Sequence, residues 1–202
     1  MNLYTAKKFN IPALKGISAK NIEEHLKLYA GYVKNTNLIL EKIAELKKDM
    51  DPTTSIGAGN TYAFGEINRR FGFEYNGMRN HEAYFSSFEG GPSTLTDDSP
   101  LKKMIADTWG SFDAWLTEYK SIAMTRGIGW AMLYHDRKDD RLLNAWVDEQ
   151  HLGQLQDCSL ILALDMWEHS YVADYQPSGK KAYVDDFFTN LNWSVIEKRL
   201  KP

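Results

Sequence analysis

Asp165 and His169 stand four residues apart, where an apolar run of the chain gives way to polar residues. If a helical turn follows that run, both side chains can converge on one point. Two more histidines, His25 and His81, lie among apolar side chains, where an imidazole needs a partner to offset its lost solvation. One carboxylate and three imidazoles form a ligand set that suits iron or manganese better than magnesium or calcium. The alternative is that Asp165 caps a turn and His169 packs under Trp167.

The first histidine is positioned by a predicted long helix over residues 18–48. Apolar side chains recur there at three- and four-residue spacing, which is typical of a helix with one buried stripe. His25 lies on this stripe, and Ser18 is the expected N-cap.

The second histidine is positioned by a second predicted helix, over residues 62–88. Residues 51–60 contain proline and glycine and are predicted to end the first helix. His81 lies on the inner stripe of the second helix. Two long helices with a short connection form an antiparallel hairpin, so we expect His25 and His81 to face each other.

The second half of the chain mixes helix and strand. Residues 89–100, rich in Gly, Pro, Ser and Asp, are the predicted linker. Beyond it the patterns predict a helical segment over residues 101–123 and three short strands over 127–136, 141–147 and 160–167. A helical tail is predicted over residues 179–200. The predicted fold class is α+β: a long N-terminal helical hairpin, then an α/β domain with a small three-stranded antiparallel sheet. The predicted domains are residues 1–90 and 91–202.

Composition excludes several classes of protein. The 202 residues carry 24 Lys plus Arg and 27 Asp plus Glu, and a net charge of −3 argues against a dedicated nucleic-acid binder. The single cysteine, Cys158, excludes a disulfide framework and a zinc ribbon. No apolar run has the length of a signal peptide core or a membrane span. We therefore expect a cytoplasmic protein with neither a nucleic-acid nor a membrane partner.

Five segments, in order along the chain, resemble the motifs of one known family. DMWEHSYVADY (residues 165–175) resembles the D-x-W-E-H-x-Y signature of the iron/manganese superoxide dismutases. The other four resemble that family's remaining motifs: ISAKNIEEHLKLYAGYV, RNHEAYF, GIGWAML and NLNW. The resemblance implies a divergent member that disproportionates superoxide to dioxygen and hydrogen peroxide. It implies one manganese or iron ion per chain, cycling between trivalent and divalent states and held by His25, His81, Asp165 and His169.

The resemblance also implies roles for side chains around the metal. Tyr32 matches the tyrosine that relays protons at the entrance, and Trp130 and Trp167 match the aromatic shell of the pocket. Gln150 is the expected amide beside the metal site, with His151 as the alternative. In iron-type members the glutamine stands four residues before the second ligand histidine, a position that Gly77 occupies here, so the pattern favours manganese.

The chain departs from the family pattern in three places. His25 and Tyr32 are seven residues apart rather than the usual eight, which predicts a regular helix without a π-bulge. Tyr29 and Val172 replace a histidine and a tyrosine that pair across the subunit interface in the family, which predicts a changed pocket rim. Lys180 or Lys181 replaces the arginine expected to attract superoxide.

The resemblance implies a two-fold homodimer in which Glu168 bridges to His169 of the partner subunit. Three alternatives stay open. A di-iron bundle needs two Glu-x-x-His motifs, which this sequence lacks. A two-histidine, one-carboxylate oxygenase would leave His25 or His81 away from the metal. A catalytically silent or repurposed dismutase fold would act as a binding or structural module.

Overall fold

The N-terminal hairpin begins with one long helix. A computed structural model describes residues 2–200, and α1 spans Ala19–Leu46. The Ser18 hydroxyl caps α1 by accepting a hydrogen bond from the backbone N–H of Asn21 at 3.1 Å, as predicted. The buried face of α1 follows the predicted stripe and includes Ile22, His25, Tyr29, Val33 and Thr36. The whole span is regular α-helix, so the prediction that it has no π-bulge is confirmed.

The second helix, α2, spans Ser55–Ser86 and begins earlier than predicted. The connecting loop is shorter than the sequence suggests because Thr54 caps α2, accepting from the N–H of Gly57 at 2.9 Å. A Cβ at Gly57 would lie 2.0 Å from the carbonyl oxygen of Asp51. This glycine therefore lets loop and helix approach closely, and it does not end the helix.

Residues 101–123 are helical, as predicted, but they form two helices. α3 spans Pro100–Trp109 and α4 spans Phe112–Ala123. Gly110 ends α3 with φ of +83°, a left-handed conformation that favours glycine. The Ser111 hydroxyl then caps α4 by accepting from the N–H of Ala114 at 3.0 Å. A C-cap and an N-cap side by side turn the chain within two residues.

The three strands form one antiparallel sheet, as predicted. They are β1 (Gly129–Asp136), β2 (Arg141–Asp148) and β3 (Cys158–Asp165), in the order β2-β1-β3. β1 is central and almost fully buried, and its Trp130 pairs with Asp165 at the end of β3. Asp165, the ligand candidate on a strand, therefore lies beside a large aromatic ring.

The chain after β3 returns across the molecule in short helices. A 3-10 turn spans Glu168–Ser170 and is followed by α5 (Val172–Tyr175), α6 (Lys180–Thr189) and α7 (Trp193–Glu197). Further 3-10 turns span Pro177–Gly179 and Lys198–Leu200. The tail is thus helical, as predicted, but in separate pieces.

One apolar core runs from the hairpin into the sheet and includes side chains from both halves, such as Tyr29, Phe85, Trp130 and Leu162. The α+β fold class is confirmed, and the division into domains at residues 1–90 and 91–202 stays a prediction. Over residues 2–200, no helix has the length and apolar character needed to cross a membrane. Cys158 is a free thiol.

Candidate metal centre

The structure brings together the four ligand candidates from four separate elements. His25 lies on α1, His81 on α2, Asp165 at the end of β3 and His169 in the following turn. Their ligand atoms all lie within 4.8 Å of one another. Oδ2 of Asp165 lies at the centre, 3.1 Å from Nε2 of His25, 3.1 Å from Nε2 of His169 and 3.5 Å from Nε2 of His81. Three of the four side chains are buried, and that of His169 is 22% exposed.

The protonation of His81 shows that a cation fits this cluster. Nδ1 of His81 donates to the carbonyl oxygen of Gly77 at 2.6 Å, because a carbonyl can only accept. Burial, with the nearby His25, lowers the pKa of His81 to about 3, so the ring is neutral and Nε2 carries a lone pair. That lone pair faces the Asp165 carboxylate and has no hydrogen-bond partner within residues 2–200. A metal ion among the four groups would satisfy it.

Asp165 is the charged member of the cluster, and its neighbours hold it in place. Burial opposes its ionisation, but the charge of His169 and hydrogen bonds from His169 and His25 outweigh this and hold its pKa well below the usual range. Oδ1 accepts from the backbone N–H of Trp167 at 2.9 Å, which leaves Oδ2 directed at the histidines. The Asp165 carbonyl oxygen accepts from the hydroxyls of Ser170 (3.0 Å) and Tyr183 (2.9 Å).

Tyr183 and its neighbour Tyr84 are site residues that the sequence analysis missed. The Tyr183 hydroxyl lies 3.1 Å from that of Tyr84, whose ring centroid is 5.0 Å from that of His25. Both tyrosines are completely buried. Their hydroxyls join the backbone of β3 to the ligand-bearing hairpin, a contact between elements that no local pattern predicts.

A chain of hydrogen bonds runs from the buried Trp130 and Gln150 to the partly exposed Tyr32. The indole N–H of Trp130 can only donate, and it donates to Oε1 of Gln150 at 3.0 Å. The amide Nε2 of Gln150 must therefore point the other way, and it donates to the Tyr32 hydroxyl oxygen at 3.0 Å. Since Tyr32 accepts this bond, its own O–H remains available to donate. Burial, and then the charges of Asp165 and Glu74, raise the pKa of Tyr32, which keeps the phenol protonated.

Gly77 explains why the amide comes from Gln150. A Cβ at position 77 would lie 2.5 Å from a ring carbon of Tyr32, so the tyrosine ring occupies the space that a larger residue would need. His151, the alternative to Gln150, is not in this chain of hydrogen bonds, and its ring centroid lies 5.8 Å from that of Phe73. The structure thus places Gln150 in the chain between Trp130 and Tyr32.

Aromatic rings enclose the cluster, as predicted for Trp130 and Trp167. The Trp167 ring stacks on His169 with centroids 5.8 Å apart, and its indole N–H donates to the carbonyl oxygen of Glu149 at 3.0 Å. The centroid of Trp130 is 5.1 Å from that of His81, in an edge-on contact. Such a shell keeps bulk water from the ligands and lowers the local dielectric constant.

The structure shows the contacts of two residues that depart from the family pattern, Tyr29 and Lys180. Tyr29 is buried, and its hydroxyl accepts from the backbone N–H of Lys7 at 2.9 Å and donates to Oε1 of Glu82 at 3.2 Å. Tyr29 therefore secures the N-terminal segment against the hairpin.

Lys180 is not placed at the cluster. Its ammonium group donates to the carbonyl oxygen of Thr125 at 2.7 Å and lies 5.8 Å from the centroid of Trp146. Trp146 pairs with Ala131 and so lies on the face of the sheet opposite Trp130. The Lys180 ammonium group therefore lies against the face of the sheet opposite Trp130, and the expectation that Lys180 or Lys181 attracts superoxide stays a prediction. Lys181 is exposed on α6.

Comparison with known proteins agrees with this geometry. Residues 97–199 match the family described as iron/manganese superoxide dismutases, C-terminal domain. The chain is 35% identical to "Superoxide dismutase [Fe]" of Cupriavidus metallidurans, over 92% of this chain and 89% of the relative. It is 33% identical to the protein of the same name from Aquifex pyrophilus, over 93% and 86%. It is 32% identical to "Superoxide dismutase [Mn] 2" of Haloferax volcanii, over 82% and 77%.

Proposed function

The chain belongs to the iron/manganese superoxide dismutase family, and on that premise we propose that it disproportionates superoxide at a single iron or manganese ion. The observation that carries the proposal is the convergence of three histidines on one carboxylate oxygen, with a buried lone pair of His81 left without a partner. The overall reaction takes two superoxide anions and two protons to one dioxygen and one hydrogen peroxide.

The ligands would be Nε2 of His25, His81 and His169 and a carboxylate oxygen of Asp165. When bound, iron or manganese supplies a one-electron couple that superoxide can alternately reduce and oxidise. A single carboxylate offsets part of the charge of that ion. The Nδ1–H bond from His81 to Gly77 keeps the ring oriented with Nε2 inward.

The proton-handling residues would be Tyr32 and Gln150. Peroxide formation consumes two protons, and a buried site has few donors besides the free O–H of Tyr32. Gln150 fixes the position of that hydroxyl, because Trp130 orients the amide and the amide orients Tyr32. The raised pKa of Tyr32 keeps its proton on the phenol until a stronger base is formed nearby.

Of the two metals, we propose that manganese is the one bound. Gly77 cannot be replaced by glutamine without displacing Tyr32, and the amide comes instead from Gln150, which follows β2. The named relatives include both iron and manganese enzymes, so metal analysis must decide.

The assembly we propose is a cytoplasmic homodimer in which Glu168 bridges to His169 of the partner subunit. The side chain of His169 is the one ligand with appreciable exposure, and its Nδ1 has no hydrogen bond from residues 2–200. Glu168, next to it, is exposed and free to reach across an interface. Within each protomer we propose a hairpin domain over residues 1–90 and an α+β domain over 91–202.

The test is direct optical decay of a superoxide pulse with protein reconstituted separately with manganese and with iron. Asp165→Ala is the control, since it removes the shared carboxylate of the cluster. We expect catalytic decay with at least one metal, about one metal ion per chain, and neither property in the control. A silent or repurposed fold would give decay no faster than free metal. A two-histidine oxygenase would tolerate loss of either His25 or His81 as a ligand.

A further inference from the structure

The side of the candidate site away from His169, the ligand proposed to contact the partner subunit, is lined by rings. Tyr32 and Trp167 are each partly exposed there, whereas His25 and His81 are buried. Phe73 of α2 closes this side, with its ring centroid 6.0 Å from that of Tyr32 and 6.3 Å from that of Trp167. An anion that reaches the ligands from solvent therefore passes next to Phe73.

Arg70 lies directly on this ring. Its guanidinium carbon is 3.6 Å from the centroid of Phe73, the shortest of the cation–ring contacts found within residues 2–200. A guanidinium at that distance stacks on the ring, and the contact holds it in one orientation. Arg70 thus presents its positive charge beside the aromatic side of the site.

The counter-charge of Arg70 is set further inside the protein. Oε1 of Glu74 lies 3.1 Å from Nη2 of Arg70 and 3.2 Å from Nε, and Oε2 accepts from Asn35 at 3.3 Å. The Glu74 side chain is 8% exposed and that of Arg70 is 51% exposed. The pair is therefore a dipole whose positive end faces solvent, and an approaching anion meets the guanidinium first.

A positive side chain that faces solvent would attract an anion that the negative charge of the whole protein repels. The chain as a whole carries a net charge of −3. Glu168 follows Trp167 in the sequence, and the backbone of Glu149 accepts the Trp167 indole N–H. Of the two lysines expected to attract the anion, Lys180 lies against the opposite face of the sheet, and Lys181 is exposed on α6.

We propose that Arg70, stacked on Phe73 and held by Glu74, is the cation that guides the superoxide anion into the site. The inference rests on the proposed dismutase function and assigns substrate attraction to a residue of the hairpin. Arg70 acts through its field on the approach of the anion and does not touch the metal ligands.

The experiment compares Arg70→Gln with Arg69→Gln in the metal-loaded protein. Arg69 is the adjacent residue of α2, is 74% exposed and pairs with Glu66 at 2.7 Å, so both variants lose one positive charge and one ion pair. The measurement is the second-order rate constant for superoxide decay against ionic strength at fixed pH, with metal content matched. Azide, a small anion, is titrated spectroscopically into each protein as a readout independent of turnover.

At low ionic strength, Arg70→Gln should lower the rate constant about threefold and weaken azide binding by a similar factor. Both differences should vanish near 1 M salt, where the screening length falls to about 3 Å. Arg69→Gln should change either quantity far less, and Arg70→Lys should restore most of the rate.

Equal effects of the two glutamine variants, or a lysine variant as slow as Arg70→Gln, would overturn the inference about Arg70. An inactive parent protein with a full complement of metal would instead refute the proposed function, so the two failures are distinguishable.

Discussion

Replacing Gly77 by alanine tests the contact that places Tyr32 beside the metal ligands. Alanine in a helix interior normally stabilises a protein relative to glycine by about 0.5–1 kcal/mol. Here the new Cβ would lie 2.5, 2.6 and 2.9 Å from three ring carbons of Tyr32, distances that force the ring to move. Overpacking of this kind costs about 1–3 kcal/mol. The cost exceeds the gain, so we expect net destabilisation of about 1–2 kcal/mol.

The assay is urea-induced unfolding of metal-free Gly77→Ala beside a matched control, Gly65→Ala. Gly65 also lies in α2, but a Cβ there would meet nothing within 4 Å, so its replacement should stabilise the protein. In a Tyr32→Ala background the ring is gone, and Gly77→Ala should then be stabilising as well. If Gly77→Ala stabilises the parent protein as much as Gly65→Ala does, the reasoning about this contact is wrong.

Two further predictions concern the buried hydrogen bonds. Gln150→Ala leaves the Trp130 indole N–H without its acceptor, so we expect a loss of about 1–3 kcal/mol in urea unfolding and about 10–100-fold slower superoxide decay. His151→Ala is the control, and a larger effect there would contradict the assignment. Burial lowers the pKa of His81 to about 3 in the folded protein, whereas an unfolded histidine has a pKa of about 6.5. Between these two pH values the unfolded state therefore binds one proton more than the folded state. The metal-free protein should lose stability as pH falls through that range, and the loss should be smaller in His81→Gln; an unchanged pH slope in that variant would refute it.

Local patterns were sufficient for most of the fold. The stripe of α1 and the alternating strands depend on neighbours a few residues apart, and such contacts are visible as periodicity. Helix boundaries were less visible where one residue decides whether a helix continues or the chain turns. Gly110 reads as an ordinary helix position until its positive φ is seen, and Gly57 reads as a helix breaker until the close approach of Asp51 is seen.

The sequence by itself determined the chemistry available: three imidazoles and one carboxylate, in the order and spacing typical of one family. It also determined that His25 and Tyr32 share one face of a regular helix, because seven residues return to nearly the same direction.

Only the tertiary structure decided which side chains meet across elements. It brought the Gln150 amide to the Tyr32 hydroxyl, the Tyr183 hydroxyl to the Asp165 carbonyl, and the Lys180 ammonium group to the Thr125 carbonyl. The physical reason is that these contacts join residues far apart in the chain, where packing of whole helices against the sheet sets the distances. Residue type and local spacing carry the ligand set, whereas packing decides which groups orient it.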